Sequence, residues 1–450
     1  MKFLILTQYY PPEIGASQTR LAAFAKQLVL AGHSVEVLTA LPNYPTGKIF
    51  SEYKKRWLLS EKRDGITVHR SLVYASSGAG LKRMLNYGSF VGTSLLAMGR
   101  VRKPDWIFVE SPPPSLALSA LFVGIIWRVP VIVNVADLWP DSARAMGLLR
   151  DGLFLRFLEK LERFVYRHAR LVNAVTEGIR RRLIEDKGVA LAKVTFLPNG
   201  VDPEIFRPLP PDESLKQQLQ LSGSKIVLYA GTHGYAHGLE HVLDCAKILA
   251  EQNIHFLFVG DGSEKPRLMK RADKLQLKNV TFSDPVASNQ LPRYFSIADC
   301  GLVPQRKLPL FEGNRPAKMF SAMACAKPIV FSGEGEGACL VSDARAGLLV
   351  PPEDPIAMAA AIREIMTNPS LARELGQNGR EFVRSNFTWP LLVRDWLEKL
   401  PVSNQLEPPL PIQNNPGTES ASTDTSPKLE SEIGLTQKIS GKRLIPSKAR

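Results

Sequence analysis

The sequence predicts an α/β protein built from two doubly wound, Rossmann-like domains in series that face each other across a cleft. Three observations predict it. Short, β-branched apolar runs alternate with helical stretches through the first 200 residues, the rhythm of parallel strands joined by crossover helices. A Pro-Asn-Gly turn at 198–200 and a proline-rich loop (Pro203, Pro208, Pro210, Pro211) interrupt that rhythm, which restarts near residue 225. A chain of 450 residues with 44% hydrophobic and 22% charged residues is long and apolar enough for two such cores.

In the first half, strands are expected over 2–10, 34–40, 106–109, 131–135 and 171–175. The opening run meets two prolines and a glutamate without a cleavage site, so it reads as a strand rather than a signal peptide. A helix follows over 17–31, with Ser17 as N-cap and Gly32 as its stop. Residues 116–127 read as a buried crossover helix, too short to span a bilayer. Residues 153–167 read as an amphipathic helix presenting Leu155, Phe157, Leu158, Leu161 and Val165 on one face. The second half gives strands over 225–230, 255–259, 279–282, 300–303, 328–331 and 347–350, and helices over 238–252 and 262–275. The domains are therefore expected at 1–202 and 203–385. A terminal helix over 386–400 is expected to pack back across the join. Residues 401–450 are rich in Pro, Ser, Thr, Asn and Gln and hold no aromatic residue, so a disordered tail is expected.

Charge is unevenly spread. Residues 1–200 hold 28 Lys and Arg against 15 Asp and Glu, so nearly all of the net +14 lies there. A basic half suggests an anionic membrane surface, and peripheral contact at the inner face of the cell membrane is expected of a cytoplasmic protein. No nucleic-acid motif accompanies the charge, so no nucleic-acid partner is expected. Cys245, Cys300, Cys325 and Cys339 lack metal or redox spacing and read as buried thiols in a reducing compartment.

Ligands of such domains bind at the carboxyl ends of the strands, and five loops there are unusual. Glu13-Ile14-Gly15-Ala16 precedes the first helix, and its small residues allow a phosphate to approach the helix N-terminus. Gly231-Thr232-His233-Gly234, with Gly238 beyond, forms a glycine-rich turn suited to a diphosphate, though its spacing is neither that of dinucleotide binders nor a Walker loop. His233 and His237 have no accompanying carboxylate and are not expected to hold a metal. Gly260-Asp261-Gly262 leads to Lys265, a cation at a helix start. Glu312 to Ser321 runs into another helix start carrying Arg315 and Lys318, whose charges suit a leaving diphosphate. Finally, Asp137-Leu138-Trp139-Pro140-Asp141 places two carboxylates and a tryptophan on a cleft wall. Asp137 could orient or deprotonate an acceptor hydroxyl there, with Trp139 stacking on a sugar. No Asp-x-Asp pair stands anywhere in the chain to hold a divalent ion.

Taken together and in order, QYYPPEIGAS, ADLWPDS, PNGVD with Phe206 and Pro208, YAGTHGYAHGLE, VGDGSEK, RPAKMFSAMACAKPIV and AGLLVPPEDP resemble glycosyltransferase family 4. These are retaining enzymes of the GT-B fold, and the likeness is nearest to the bacterial surface-polysaccharide members of the fucosamine and colanic-acid type. The resemblance covers roughly residues 1–400. It implies transfer of a hexosyl or N-acetylhexosaminyl unit from a nucleotide-diphosphate donor, UDP-linked by expectation, to a hydroxyl of a glycan or polyprenyl-linked saccharide. It implies no cofactor and no required metal. Donor contacts would fall on Gly15, Gly231, Thr232, Gly234, Lys265, Glu312, Arg315, Lys318 and Ser321, and acceptor contacts on Glu13, Ala16, Asp137, Trp139 and Asp141. Asp137, Lys265 and Lys318 would serve catalysis. Many members carry an arginine where Thr232 stands, a lysine at His237, a histidine at Ala136, and two glutamates at the positions of Gly313 and Ser321. Two other readings stay open: a GT-B nucleotide-sugar epimerase, and a non-catalytic relative that binds nucleotide or glycan.

Overall fold

The computed structural model describes residues 1–76, 80–147 and 149–401; the expected tail lies outside them apart from Pro401. The first domain runs β1 (Lys2–Leu6), α1 (Ala16–Leu30), β2 (Ser34–Ala40), β3 (Leu58–Arg63), β4 (Ile66–Ser71), α2 (Leu81–Ala97), β5 (Trp106–Ser111), α3 (Leu116–Trp127), β6 (Val131–Val135), α4 (Asp141–Ala145), α5 (Leu153–His168), β7 (Leu171–Ala174), α6 (Glu177–Glu185) and β8 (Val194–Phe196). The second runs α7 (Glu213–Gln218), β9 (Lys225–Ala230), α8 (Leu239–Ile248), β10 (Ile254–Val259), α9 (Lys265–Lys274), β11 (Val280–Ser283), α10 (Leu291–Ile297), β12 (Cys300–Pro304), α11 (Ala317–Ala324), β13 (Ile329–Ser332), α12 (Glu336–Asp343) and β14 (Gly347–Val350). Helices α13 (Pro355–Thr367), α14 (Pro369–Asn386) and α15 (Trp389–Glu398) close the chain.

The first sheet has the order β3-β4-β2-β1-β5-β6-β7-β8, the second β11-β10-β9-β12-β13-β14. The second is parallel throughout. In the first, only β3 is antiparallel, paired with β4. Central strands such as β6, with all five residues buried, are apolar but for Asn134 because helices cover both sides of the sheet. Strand order reverses at β1/β5 and at β9/β12, and these two switch points open the crevices where ligands of doubly wound sheets sit.

Several elements differ from expectation. Strand β1 stops at Leu6, and α1 is capped by Gly15 rather than Ser17, whose hydroxyl instead donates to Glu110. The β3–β4 hairpin was not expected. Its signal is Asp64-Gly65, both at positive φ, which is the two-residue turn that hairpins favour. Phe157 is 59% exposed on α5, and α3 is not wholly buried: Phe122, Ile125 and Ile126 face outward. Both helices lie on the outer side of the sheet, so each buries one stripe only. Cys339 is exposed, while the other three cysteines are buried and free.

The last helix returns to the first domain. Trp396 is buried against Phe24 and Phe108, at ring-centroid distances of 5.3 and 5.9 Å, and against Phe3 at 6.4 Å. Its indole N–H donates to Asn173 Oδ1 at 3.1 Å. Beside it, Val201 pairs with Thr388, and a Cβ on Gly200 would stand 2.8 Å from Leu392 Cδ1. Trp396→Ala should cost about 3–5 kcal/mol, the usual loss for emptying a buried aromatic site. Urea unfolding measures it, and an unchanged midpoint would contradict the docking of α15.

Candidate active site

At the β9/β12 switch point, backbone approach sets the geometry. The β9–α8 and β10–α9 loops continue the pairing of their strands, with Gly231 N donating to Val259 O (2.9 Å) and His233 N to Asp261 O (2.8 Å). Gly231 and Gly260 sit at φ 149° and 146°. A Cβ on Gly260 would lie 2.0 Å from Gly231 O, and one on Gly262 would lie 2.4 Å from His233 O. Glycine is required there by contact as well as by conformation.

Lys318, in the first turn of α11, crosses to this loop. Its Nζ donates to Tyr229 Oη at 2.7 Å and lies 4.1 Å from the ring centroid, while the Tyr229 hydroxyl donates to the Thr232 carbonyl at 2.5 Å. Burial without a carboxylate pushes the Lys318 ammonium down to about 7. The positive end of α11 and this cation thus meet beside Gly231, an arrangement that attracts an anion. His233 stacks on Tyr229 with centroids 5.6 Å apart, and neither of its ring nitrogens has a hydrogen-bond partner among the described residues. Burial first, then Lys265 and Lys318, lower its pKa to about 4, so the ring is neutral. Lys265 caps its own neighbourhood, donating to Gly260 O (3.0 Å), Ser283 O (3.1 Å) and the exposed Asp284 carboxylate (3.2 Å). A phosphate would have to displace one of these. Ser321 lies one turn beyond Lys318 and is half-buried; Gly234 opens the short turn at Tyr235–His237, and Glu312 is exposed.

Arg315 is spent differently from expectation. Its guanidinium pairs with Glu336 and lies 5.6 and 5.7 Å from the ring centroids of Phe196 and Phe387. Glu336 also accepts from Glu177 N (2.9 Å) and Gly178 N (2.8 Å), the first amides of α6 in the other domain. At this junction a Cβ on Gly178 would come 2.4 Å from Gly313 Cα. Arg315 therefore fastens the two domains together, and the cation that stands against Gly231 is Lys318, whose Nζ would lie 3.4 Å from a Cβ there.

Across the cleft, Asp137 accepts from Ser142 Oγ at 2.8 Å, and burial raises its pKa. It lines a groove of about 440 Å³ with Gly178, Arg182, Leu310, Glu312 and Gly313, so it faces the domain carrying Lys318. Asp141, expected beside it, is occupied by Arg182 and Lys187, each at 2.9 Å. Trp139 is partly buried, and Ala16 is exposed at the start of α1 behind its Gly15 cap. Glu13 is buried and clamps two loops. It accepts from Tyr10 N (3.2 Å), Asn43 N (2.8 Å) and Tyr44 N (2.8 Å), and burial pushes its carboxyl up to about 7.

Sequence reasoning missed Glu110 and Arg20 at the β1/β5 switch point. Glu110, at the end of β5, pairs with Arg20 and accepts from Asn134 Nδ2 at 2.7 Å. Asn134 in turn accepts from Asn173, which holds Trp396. A polar network thus runs from the crevice to the last helix. Its one visible signal is an acidic residue directly after the apolar run 106–109, which β5 extends to include. Tyr229, the support of Lys318, was also missed, because it looks like an ordinary strand residue. No group of three or more His, Cys, Asp and Glu side chains is placed to hold a metal ion among the described residues.

Two doubly wound sheets, each with a switch-point crevice, define a GT-B glycosyltransferase fold, and solved structures agree. A sucrose-phosphate synthase from Thermosynechococcus elongatus superposes with a TM-score of 0.70 at 20% identity, over 88% of this chain and 98% of that one. Anabaena HepE in complex with UDP-glucose superposes with a TM-score of 0.67 at 18% identity, over the same shares. Residues 15–200 match the glycosyl transferase 4-like domain, and residues 211–382 match glycosyl transferases group 1. The chain belongs to glycosyltransferase family 4. Among curated relatives, the "Putative colanic acid biosynthesis glycosyl transferase WcaI" of Escherichia coli K12 is 28% identical over 392 residues, covering 84% of this chain and 96% of that protein.

Two outcomes follow. Gly260→Ala should lower stability, since its Cβ cannot coexist with Gly231 O; urea unfolding of wild type and variant checks this, and an unchanged midpoint would contradict the contact. The Glu13 carboxyl is held in the folded protein above its ordinary value of 4.5. The folded state therefore binds the extra proton between about 4.5 and 7, and this contribution to stability is lost as pH rises through that window. Melting temperatures from pH 4.5 to 8 should show that fall in wild type, and Glu13→Gln should remove it from the difference curve.

Proposed function

We propose that this glycosyltransferase moves a hexosyl or N-acetylhexosaminyl unit from a UDP-linked donor to a hydroxyl of a glycan or polyprenyl-linked saccharide, with retention at the anomeric carbon. One observation carries the reading: the Lys318 ammonium, held on Tyr229, stands beside the positive-φ Gly231 loop at the start of α11. A diphosphate placed there meets a cation, a helix N-terminus and a backbone close enough to touch, and all three favour charge developing on a leaving group. Lys265 adds a second cation by exchanging Asp284 for phosphate, and Ser321 offers a hydroxyl to the ribose. Neutralisation then rests on these groups rather than on a divalent ion.

In this reading the acceptor enters from the first domain, past Ala16 and Trp139, with Asp137 orienting its hydroxyl. The departing diphosphate takes the hydroxyl proton on the face it leaves, so the sugar keeps its configuration. UDP is favoured by the UDP-glucose complex of the Anabaena relative, and a role in surface-polysaccharide synthesis by the name of the E. coli relative. The basic first domain suits work in the cytoplasm at the inner face of the membrane, and no described helix is long and apolar enough to cross it.

Lys318→Ala should lower kcat by about a hundredfold or more, the scale for losing one transition-state charge partner, while the fold stays intact. Unchanged turnover would remove Lys318 from the chemistry. Because the free ammonium titrates near 7 and a diphosphate would raise that value, UDP binding at pH 8 should take up protons. Calorimetry in two buffers of different ionisation enthalpy reads the uptake directly, and Lys318→Ala should remove it.

A further inference from the structure

Helix α3 lies between α2 and α5 on the first domain, and its outer side is bare. Phe122, Ile125 and Ile126 are 56%, 71% and 60% exposed, and α3 carries no charge at all. On α5, Leu153, Phe157 and Phe164 are 84%, 59% and 48% exposed. At about 100° per residue these three fall on one stripe, opposite the stripe that buries Leu155, Leu158 and Val165. Leu96 on α2, 81% exposed, extends the surface on the far side of α3. Scattered apolar residues are ordinary on a soluble surface, but a contiguous field of aromatic and aliphatic side chains marks a binding face.

The charges around it identify the occupant. Arg156, Lys160, Arg163 and Arg167 are exposed along one flank of the α5 stripe. None of the four forms an ion pair among the described residues. Of the two acids on α5, Glu162 is buried and held by Lys187 at 2.7 Å and by Tyr166 at 3.0 Å, leaving only the half-buried Glu159. Helix α2 has no acid, and Lys82 and Arg83 stand at its start. An apolar stripe with a basic flank is the pattern of a helix lying in the interface of an anionic bilayer, rings at the acyl boundary and cations among phosphates. A second copy of this chain would set like-charged rows against each other, which disfavours that occupant. Helix α5 starts beyond the carboxyl end of β6, on the side of the sheet where Asp137 lies, so a bilayer on this face would bring lipid-linked molecules to the mouth of the acceptor side.

We propose that the α3–α5 face seats on an anionic lipid bilayer, with Phe122, Ile125, Ile126, Leu153, Phe157 and Phe164 entering the interface. This gives the membrane contact of the preceding reading a definite surface. It needs no catalytic step, so the two can fail separately.

Flotation of the full chain with vesicles of phosphatidylcholine alone, or containing roughly a third phosphatidylglycerol, tests it. Wild type should float with the anionic vesicles and much less with the neutral ones. The triple variant Arg156→Glu, Lys160→Glu, Arg163→Glu should lose about a hundredfold or more in vesicle affinity, since each base near such a surface contributes several-fold. Phe157→Ser with Phe164→Ser should reduce binding by at least tenfold. Circular dichroism and UDP titration, both expected to match wild type, exclude misfolding and keep the donor site out of the readout. Wild type that fails to float, variants that float as well as wild type, or a dimer in solution that the Phe157→Ser, Phe164→Ser variant dissociates would each overturn the proposal.

Discussion

The contact between Gly260 and the carbonyl of Gly231 is the constraint on which the candidate site depends. Two parallel strands, β9 and β10, extend their pairing beyond their ends, and only the absence of a side chain lets the loops close. That closure fixes the amide of Gly231 and buries Tyr229 and His233 beneath it. Tyr229 then offers its hydroxyl and ring face to Lys318. Burial lowers the pKa of Lys318 to about 7, so an anion arriving beside it restores the full charge of the ammonium. The neutral His233 is part of the same arrangement, its proton disfavoured by burial and by the two lysines beside it.

The second constraint is the join between domains. Glu336 caps the first amides of α6 and holds Arg315, while Gly178 and Gly313 touch backbone to backbone. On the other side, Trp396 locks the final helix to the first sheet through Asn173, which leads by way of Asn134 to Glu110. The groove lined by Asp137 and Glu312 lies beside the first junction. The lysine proposed to meet the donor and the arginine that fastens the domains therefore stand within one short motif, three positions apart at Lys318 and Arg315.

Much of this was legible in the chain. Strands over 34–40, 131–135, 225–230 and 347–350 stand where the sequence places them, and for the central pair, β6 and β9, the reason is burial on both faces, which demands a largely apolar run. The glycine loops were legible for a related reason: glycine clusters between a strand and a helix have few other uses. The β3–β4 hairpin was not, because β3 is half-exposed and ends in Glu, Lys and Arg while β4 carries a buried His69 and Arg70, and only Asp64-Gly65 betrays it. Nor could sequence say which charges were already spent. Arg315 looked free until Glu336 appeared beside it, and Asp141 until Lys187 did. The support of Lys318 comes from Tyr229, 89 residues away. Local pattern reports what each residue favours alone, whereas charge pairing across the fold decides which groups remain for a ligand.

A crystal structure of the protein with UDP bound tests the central claim most directly. The account places the β-phosphate within hydrogen-bond distance of Lys318 Nζ and against the Gly231 loop, with the Lys318–Tyr229 bond retained or exchanged for phosphate. A diphosphate resting against the first domain's β1/β5 crevice, or one in the second domain that leaves Lys318 unengaged, would contradict it.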